Sequence, residues 1–374
     1  MAALNHTLAL LAGTLLLGPA LGASNSADVA QTVAAALAPA ALTQPAILSA
    51  KAGGAVMLAL ARAGQRLVAA GERGIVLLSD DNGASWRQVP TPVQVSLVAL
   101  QFATPELGWA VGHLGVVLHT ADGGLSWTKQ FDGLQAAERM AAAATTPVAA
   151  RAAAQLRADG PDKPFLDLYF SDASHGYILG AYHLLFRTSD GGRSWQPWQD
   201  RVDNPRNLHL YGLRGAGKAL YLVGEQGMLF RSRDQGASFE ALASPYQGSY
   251  FGLVAAPGGE LVAFGLRGSA YWSGDEGRSW RQVDTGLQQA LTAGIVLADG
   301  SLALLSQGGD VLISRDQGRS FARSASSQPL PAAALAQAAD GALVVAGLRG
   351  VRRLAPATAP TPASATAPTT QSTQ

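Results

Sequence analysis

Short apolar runs broken by glycine turns recur along most of the chain, with polar positions between them. The clearest are RLVAAGERGIVLLS (66–79), GWAVGHLGVVLHT (108–120), LYLVGEQGMLFRS (220–232) and LVAFGLRGSAYWS (261–273). YILGAYHLLFRT (177–188) and LALLSQGGDVLIS (302–314) are weaker copies, and LVVAGLRGVRRLA (343–355) is a seventh. Runs this short, bounded by glycine, read as strands, and a Gly-x-x-Gly turn between two of them suits a tight hairpin.

A second pattern follows six of these hairpins. It reads Ser/Thr-x-Asp-x-Gly-x-Ser-Trp/Phe, in SDDNGASW (79–86), TADGGLSW (120–127), TSDGGRSW (188–195), SRDQGASF (232–239), SGDEGRSW (273–280) and SRDQGRSF (314–321). Its aspartates are Asp81, Asp122, Asp190, Asp234, Asp275 and Asp316, spaced by 41, 68, 44, 41 and 41 residues. The residue types specify a folded corner. An aspartate accepts hydrogen bonds from the N–H groups of its own loop, the glycine takes a backbone angle closed to other residues, and the aromatic starts the next strand. Chemistry needs one site rather than six equivalent ones, so these aspartates are expected to be structural.

A period near 42 residues is the length of a four-stranded propeller blade. The expected fold is all-β, a seven-bladed β-propeller over residues 44–354, at about 44 residues per blade; six blades and a remnant is the alternative. The seventh hairpin lacks a following Asp box, and an open ring leaves strand edges unpaired. The segment QPAILSA (44–50) is therefore expected to pair as an N-terminal strand with the last blade. The long interval holds an alanine-rich stretch, 136–158, which reads as two short helices broken at Pro147. It falls between blades 2 and 3, over the face that carries the glycine turns.

Composition agrees with many short strands: of 374 residues, 48% are hydrophobic, 14% are charged and 43 are glycine. A net charge of +1 gives no electrostatic reason to bind nucleic acid. The chain has no cysteine, which removes disulfides and thiolate chemistry. Residues 8–22 (LALLAGTLLLGPALG) have the length of a signal-peptide core, so 1–23 is expected to be a cleaved signal and the protein to be periplasmic or secreted. No cysteine follows that run, so lipidation there is not expected. Residues 355–374, without charge or aromatic side chains, are expected to be a disordered tail.

Six Asp boxes at this period, with Gly-x-x-Gly turns and an apolar leader, resemble the photosystem II stability and assembly factor family of Asp-box propellers. The resemblance covers roughly residues 44–354. It implies a non-catalytic, monomeric propeller that binds a protein partner belonging to a membrane-associated or envelope complex and supports its assembly. The Asp box alone is shared with sialidases, so a secreted glycan-binding or glycan-hydrolysing protein is the alternative. That alternative lacks the Arg-Ile-Pro motif of sialidases. No cofactor and no metal are expected, because the six histidines show no paired ligand spacing.

Partner binding is expected on the turn face around the channel. The glycine turns place Arg73, His113, His183, Glu225, Arg267 and Arg349 there, with His113 and His183 in equivalent turns. The loops between blades add Arg206, His209 and Tyr250. Arginine mixed with aromatic residues suits a protein-binding surface.

Overall fold

The computed structural model describes residues 38–324 and 330–354. Seven antiparallel sheets follow one another along the chain with their strands in sequence order, A to D in the first six and A to C in the seventh among the described residues. The innermost strands are Met57–Ala63, Leu97–Phe102, Phe165–Phe170, Leu210–Ala216, Tyr250–Ala255, Leu291–Val296 and Ala332–Gln337. Each packs against strand A of the blades before and after it, Ala332–Gln337 against Met57–Ala63 included, so the ring is closed. Second strands such as Gly108–Gly112 and Leu261–Gly265 are buried at every position because a neighbouring blade covers each face, and in blades 1 and 4 only their first residue is part-exposed. That is why they read as continuous apolar runs rather than alternating ones.

Each Asp box joins strand C to strand D. In blade 1 the Ser79 hydroxyl donates to Asp81 Oδ1 at 2.8 Å and accepts from the Gly83 N–H. Ser85 donates its N–H to Oδ1 and its hydroxyl to Oδ2, at 2.9 and 2.6 Å. The same four bonds recur in the other five boxes. These carboxylates are saturated by their own loops.

The boxes also hold the ring together. The carbonyl of the fourth box residue accepts a side-chain hydrogen bond from the preceding blade in all six cases. The donors are Arg353 to Asn82, Arg66 to Gly123, Trp109 to Gly191, Tyr177 to Gln235, Arg231 to Glu276 and Trp272 to Gln317, at 2.6–3.1 Å. Blade 1 is thereby clasped to blade 7 in the same way as the other neighbours. Blade 7 has no box, so the seam between blades 6 and 7 lacks this bond.

Hydrogen bonds from Ser85, Ser238 and Ser279 hold the Asp81, Asp234 and Asp275 carboxyls at about 2, below their ordinary 3.8. At Asp316 partial burial pushes upward, but bonds from Ser320 and Ser314 outweigh it and the value is again about 2. A carboxyl with a lowered folded value stabilises the native state fully above its unfolded value and loses that contribution as pH falls through the folded one. Denaturant melts between pH 5 and pH 2 are expected to show stability falling mainly below about pH 4. Flat stability down to pH 2 would contradict the box geometry.

One expectation about closure is corrected. Gln44–Ala50 forms no strand, and among the described residues the seventh sheet has three strands, Ala332–Gln337, Leu343–Gly347 and Gly350–Arg353. Pro45 has no N–H to donate, and the segment lies along the outer edge of blade 1 instead. Ala46 N–H donates to the Thr91 carbonyl, while the Gln88 side chain bonds Ser49 N–H and the Ile47 carbonyl. The chain reaches blade 7 only at the turn Ala52–Gly54, which lies against Gly350. Side-chain packing and the Arg353–Asn82 clasp close the ring.

The insertion forms α1 (Gly133–Ala143), capped by Asp132, and α2 (Pro147–Asp159), capped by Thr146 with Pro147 in its first turn. It lies between strand D of blade 2 and strand A of blade 3, beside the turn His113–Gly115. The signal expected over 1–23 and the tail expected over 355–374 lie outside the described residues.

Candidate functional site

Every strand A carries a bulge at its second residue. The bulged residues are Leu58, Val98, Leu166, Tyr211, Phe251, Thr292 and Ala333. A bulge re-aims a side chain, and here all seven turn toward the central channel, a cavity of about 390 Å³. The start of strand A pairs with the end of strand B, so this ring stands at the turn-side mouth. Next along the strand come small residues, Ala59, Ala99, Gly212, Gly252, Ala293 and Ala334, which, Gly212 apart, also border the channel. Blade 3 is the exception. Asp167 takes that position, nearly buried, and its carboxylate accepts from Arg214 at 2.5 Å and from Leu213 N–H at 3.1 Å. This pair is the charged part of a lining that also carries the polar side chains Gln101, Tyr169, Tyr211 and Thr292.

An aromatic arc runs from the rim to this mouth. Tyr182, 57% exposed, stands 4.8 Å from His209 between ring centroids; His209 stands 6.2 Å from Tyr211, and Tyr211 packs edge-on against Phe251 at 5.4 Å. Tyr182 is displayed because the second residue of each 3-10 turn adopts a left-handed conformation and points outward. Arg73, Leu114, Tyr182, Gln226 and Arg267 share that geometry, at φ 53–57°. Arg73, Arg267 and Arg349, on blades 1, 5 and 7, are exposed and make no ion pair among the described residues. Aromatic groups of blades 3 to 5 thus share the turn face with guanidinium groups of blades 5, 7 and 1.

The residues proposed from sequence divide into two sets. Arg73, His113, Arg206, Arg267 and Arg349 are exposed on the turn face, with Arg206 donating to the Gln226 side chain at 2.6 Å. His209 is half-buried, 3.1 Å from the Glu225 carboxylate. Glu225 also accepts the His209 N–H at 2.7 Å, as Glu72 accepts the Val56 N–H in blade 1, so it holds the turn to its own strand A. Each glutamate is engaged within its own blade, so the structure does not set them as a facing pair of carboxylates.

Two placements differ from expectation. His183 is 9% exposed and is not the counterpart of His113; it fills the third turn position, where the other turns of this form have glycine. Burial pushes its imidazole down to about 4, so it is neutral at ordinary pH. Tyr250 is fully buried, since it precedes the bulge and points between blades, against Tyr246 and Tyr271. The half-buried Phe251 lines the channel mouth in its stead. Tyr211 and Tyr182 went unselected because no local pattern marks a bulge or a turn tip as the convergent position.

Among the described residues no cluster of His, Cys, Asp or Glu is arranged to hold a metal ion.

A family model described as Photosynthesis system II assembly factor YCF48 matches residues 152–285. The Photosystem II assembly lipoprotein Ycf48 of Synechococcus sp. (strain CC9902) is 30% identical over 77 residues, 21% of this chain and 23% of that protein. The chloroplastic Photosystem II stability/assembly factor HCF136 of Cyanidioschyzon merolae is 39% identical over 90 residues, 23% of this chain and 19% of that protein. The chain thus matches under a quarter of the length of these curated relatives. Among solved structures, one titled YCF48 bound to D1 peptide aligns with a TM-score of 0.60 at 15% identity, over 84% of this chain and 96% of its own. The WD40 propeller domain of Doa1 aligns equally well, at 0.60 and 11% identity over 84% and 95%, so these likenesses speak for the fold alone.

Proposed function

We propose that this chain, an Asp-box propeller homologous to the Ycf48 and HCF136 photosystem II assembly factors, is a non-catalytic binding factor for a membrane-associated protein complex. It grips an extended segment of its partner across the turn-side mouth. The carrying observation is the arc Tyr182–His209–Tyr211–Phe251, which shares the turn face with the exposed guanidinium groups of Arg73, Arg267 and Arg349. Rigid aromatic side chains beside arginine are the groups that dominate protein-binding energies. A solved relative is titled as bound to a D1 peptide, which supports a peptide as the occupant. The apolar leader at 8–22 supports a site of action outside the cytoplasm.

A photo-cross-linking amino acid placed at Tyr182 is expected to capture a membrane-associated polypeptide in cells, and one placed at Lys218, on the opposite face, is not. The double variant Tyr211→Ala/Phe251→Ala is expected to weaken that association by roughly thirtyfold, as loss of one strong interface anchor does. Equal capture from both faces, or capture unchanged in the double variant, overturns the reading.

A further inference from the structure

We infer that the outer edge of blade 7 is a second interaction surface, which accepts an extended acidic strand from a protein partner. In the other six blades strand C is covered by strand D, which pairs with Val76, Val117 and Ala270 in blades 1, 2 and 5 and meets Leu185, Leu229 and Val311 in blades 3, 4 and 6. The carbonyls of Leu185, Leu229 and Val311 each accept an N–H from strand D. The corresponding residue in blade 7 is Val351, and nothing among the described residues pairs with it.

The pairing pattern fixes which groups are open. Leu354 N–H donates to the Leu343 carbonyl, so alternate residues Gly350, Arg352 and Leu354 face strand B. The backbone N–H and C=O of Val351 and Arg353 therefore point outward, a template for one more strand. The turn Ala52–Gly54 covers only the Gly350 end. Charge selects the occupant. Lys51, Arg349 and Arg352 are exposed around this edge and make no ion pair among the described residues, whereas Arg353 is held by Asp340 at 2.7 Å. An acidic strand is drawn to this edge. A second copy of the same edge would set Arg352 against Arg352 and is disfavoured. The inference uses the rim of the ring and shares only Arg349 with the channel-mouth reading; its test variants, Val351→Pro and Arg352→Glu, lie outside that site.

The test uses labelled Val-Glu-Val-Glu-Val and Val-Lys-Val-Lys-Val peptides with the full chain, read by fluorescence anisotropy at low salt. The acidic peptide is expected to bind at least about tenfold more tightly than the basic one. Val351→Pro removes an outward N–H and leaves the ladder to strand B intact, so it is expected to abolish binding with little change in melting temperature. Arg352→Glu, an exposed change that cannot unfold the chain through its core, is expected to reverse the charge preference. Equal binding of both peptides, or acidic binding unaffected by both variants, overturns the inference. So does binding that appears only after residues 355–374 are deleted, because the tail would then be the natural occupant. Self-association lost in Val351→Pro would make a second copy the occupant and overturn it as well.

Discussion

Replacing Trp109 by alanine lowers the unfolding free energy by about 3–5 kcal/mol, the range for truncating a buried aromatic. The indole is fully buried on strand B of blade 2 and lies on Phe170 of blade 3, with ring centroids 3.6 Å apart and planes within 7°. Its Nε1–H donates to the Gly191 carbonyl, the clasp between these blades, at 3.1 Å. Alanine removes the stacking and the clasp together and leaves a cavity at the seam. Trp109→Phe restores most of the apolar contact but not the donor, so its difference from the parent measures the clasp, about 1 kcal/mol for a neutral hydrogen bond, and its difference from Trp109→Ala measures the packing. Gln130 also donates to Gly191, at 3.1 Å, and cushions that loss. Denaturant titration reads both. A Trp109→Ala protein within 1 kcal/mol of the parent, on the same order as a surface change, would show that the seam does not depend on this residue.

Gly227→Ala is the second severe change. Gly227 sits at φ 77°, and a Cβ built there lies 1.9 Å from the Tyr246 carbonyl oxygen, with no flexible side chain to give way. Left-handed strain of about 1–2 kcal/mol adds to an overpacking cost of about 1–3 kcal/mol. His183 occupies the equivalent place in blade 3 at φ 65°, packed beside Asn207 of the longer loop 202–209. His183→Gly is therefore expected to cost far less than Gly227→Ala, by thermal melts of the two proteins. Similar melting temperatures would mean that the loops, rather than the turns, set the constraint.

The boxes were readable because each is self-contained. Asp234 is satisfied by Ser232 and Ser238, its own near neighbours, so eight residues carry the whole device and repeat it visibly. The glycine turns are local in the same sense, and their period counts the blades. The helical insertion was legible from its alanine content and from Pro147, which begins α2.

The clasps between blades were not readable. Their donors are arginine in three seams, tryptophan in two and tyrosine in one, and each lies far along the chain from the carbonyl it meets. No residue type marks the position. The candidate site was only partly legible for a related reason. The bulge in strand A shifts the side-chain alternation by one residue, so Tyr250 goes inward and Phe251 goes to the mouth, and that shift is set by pairing rather than by composition.

By itself, then, the sequence determined the repeating unit, the number of blades and the place of the insertion, because hydrogen bonds within a turn and apolar periodicity are short-range. Only the tertiary structure decided how the ring closes, which aromatic groups converge at the channel and which edge of blade 7 no described residue pairs with. Those outcomes depend on which distant segments meet, and Gln44–Ala50 had a choice of two blade edges that its own residues did not resolve.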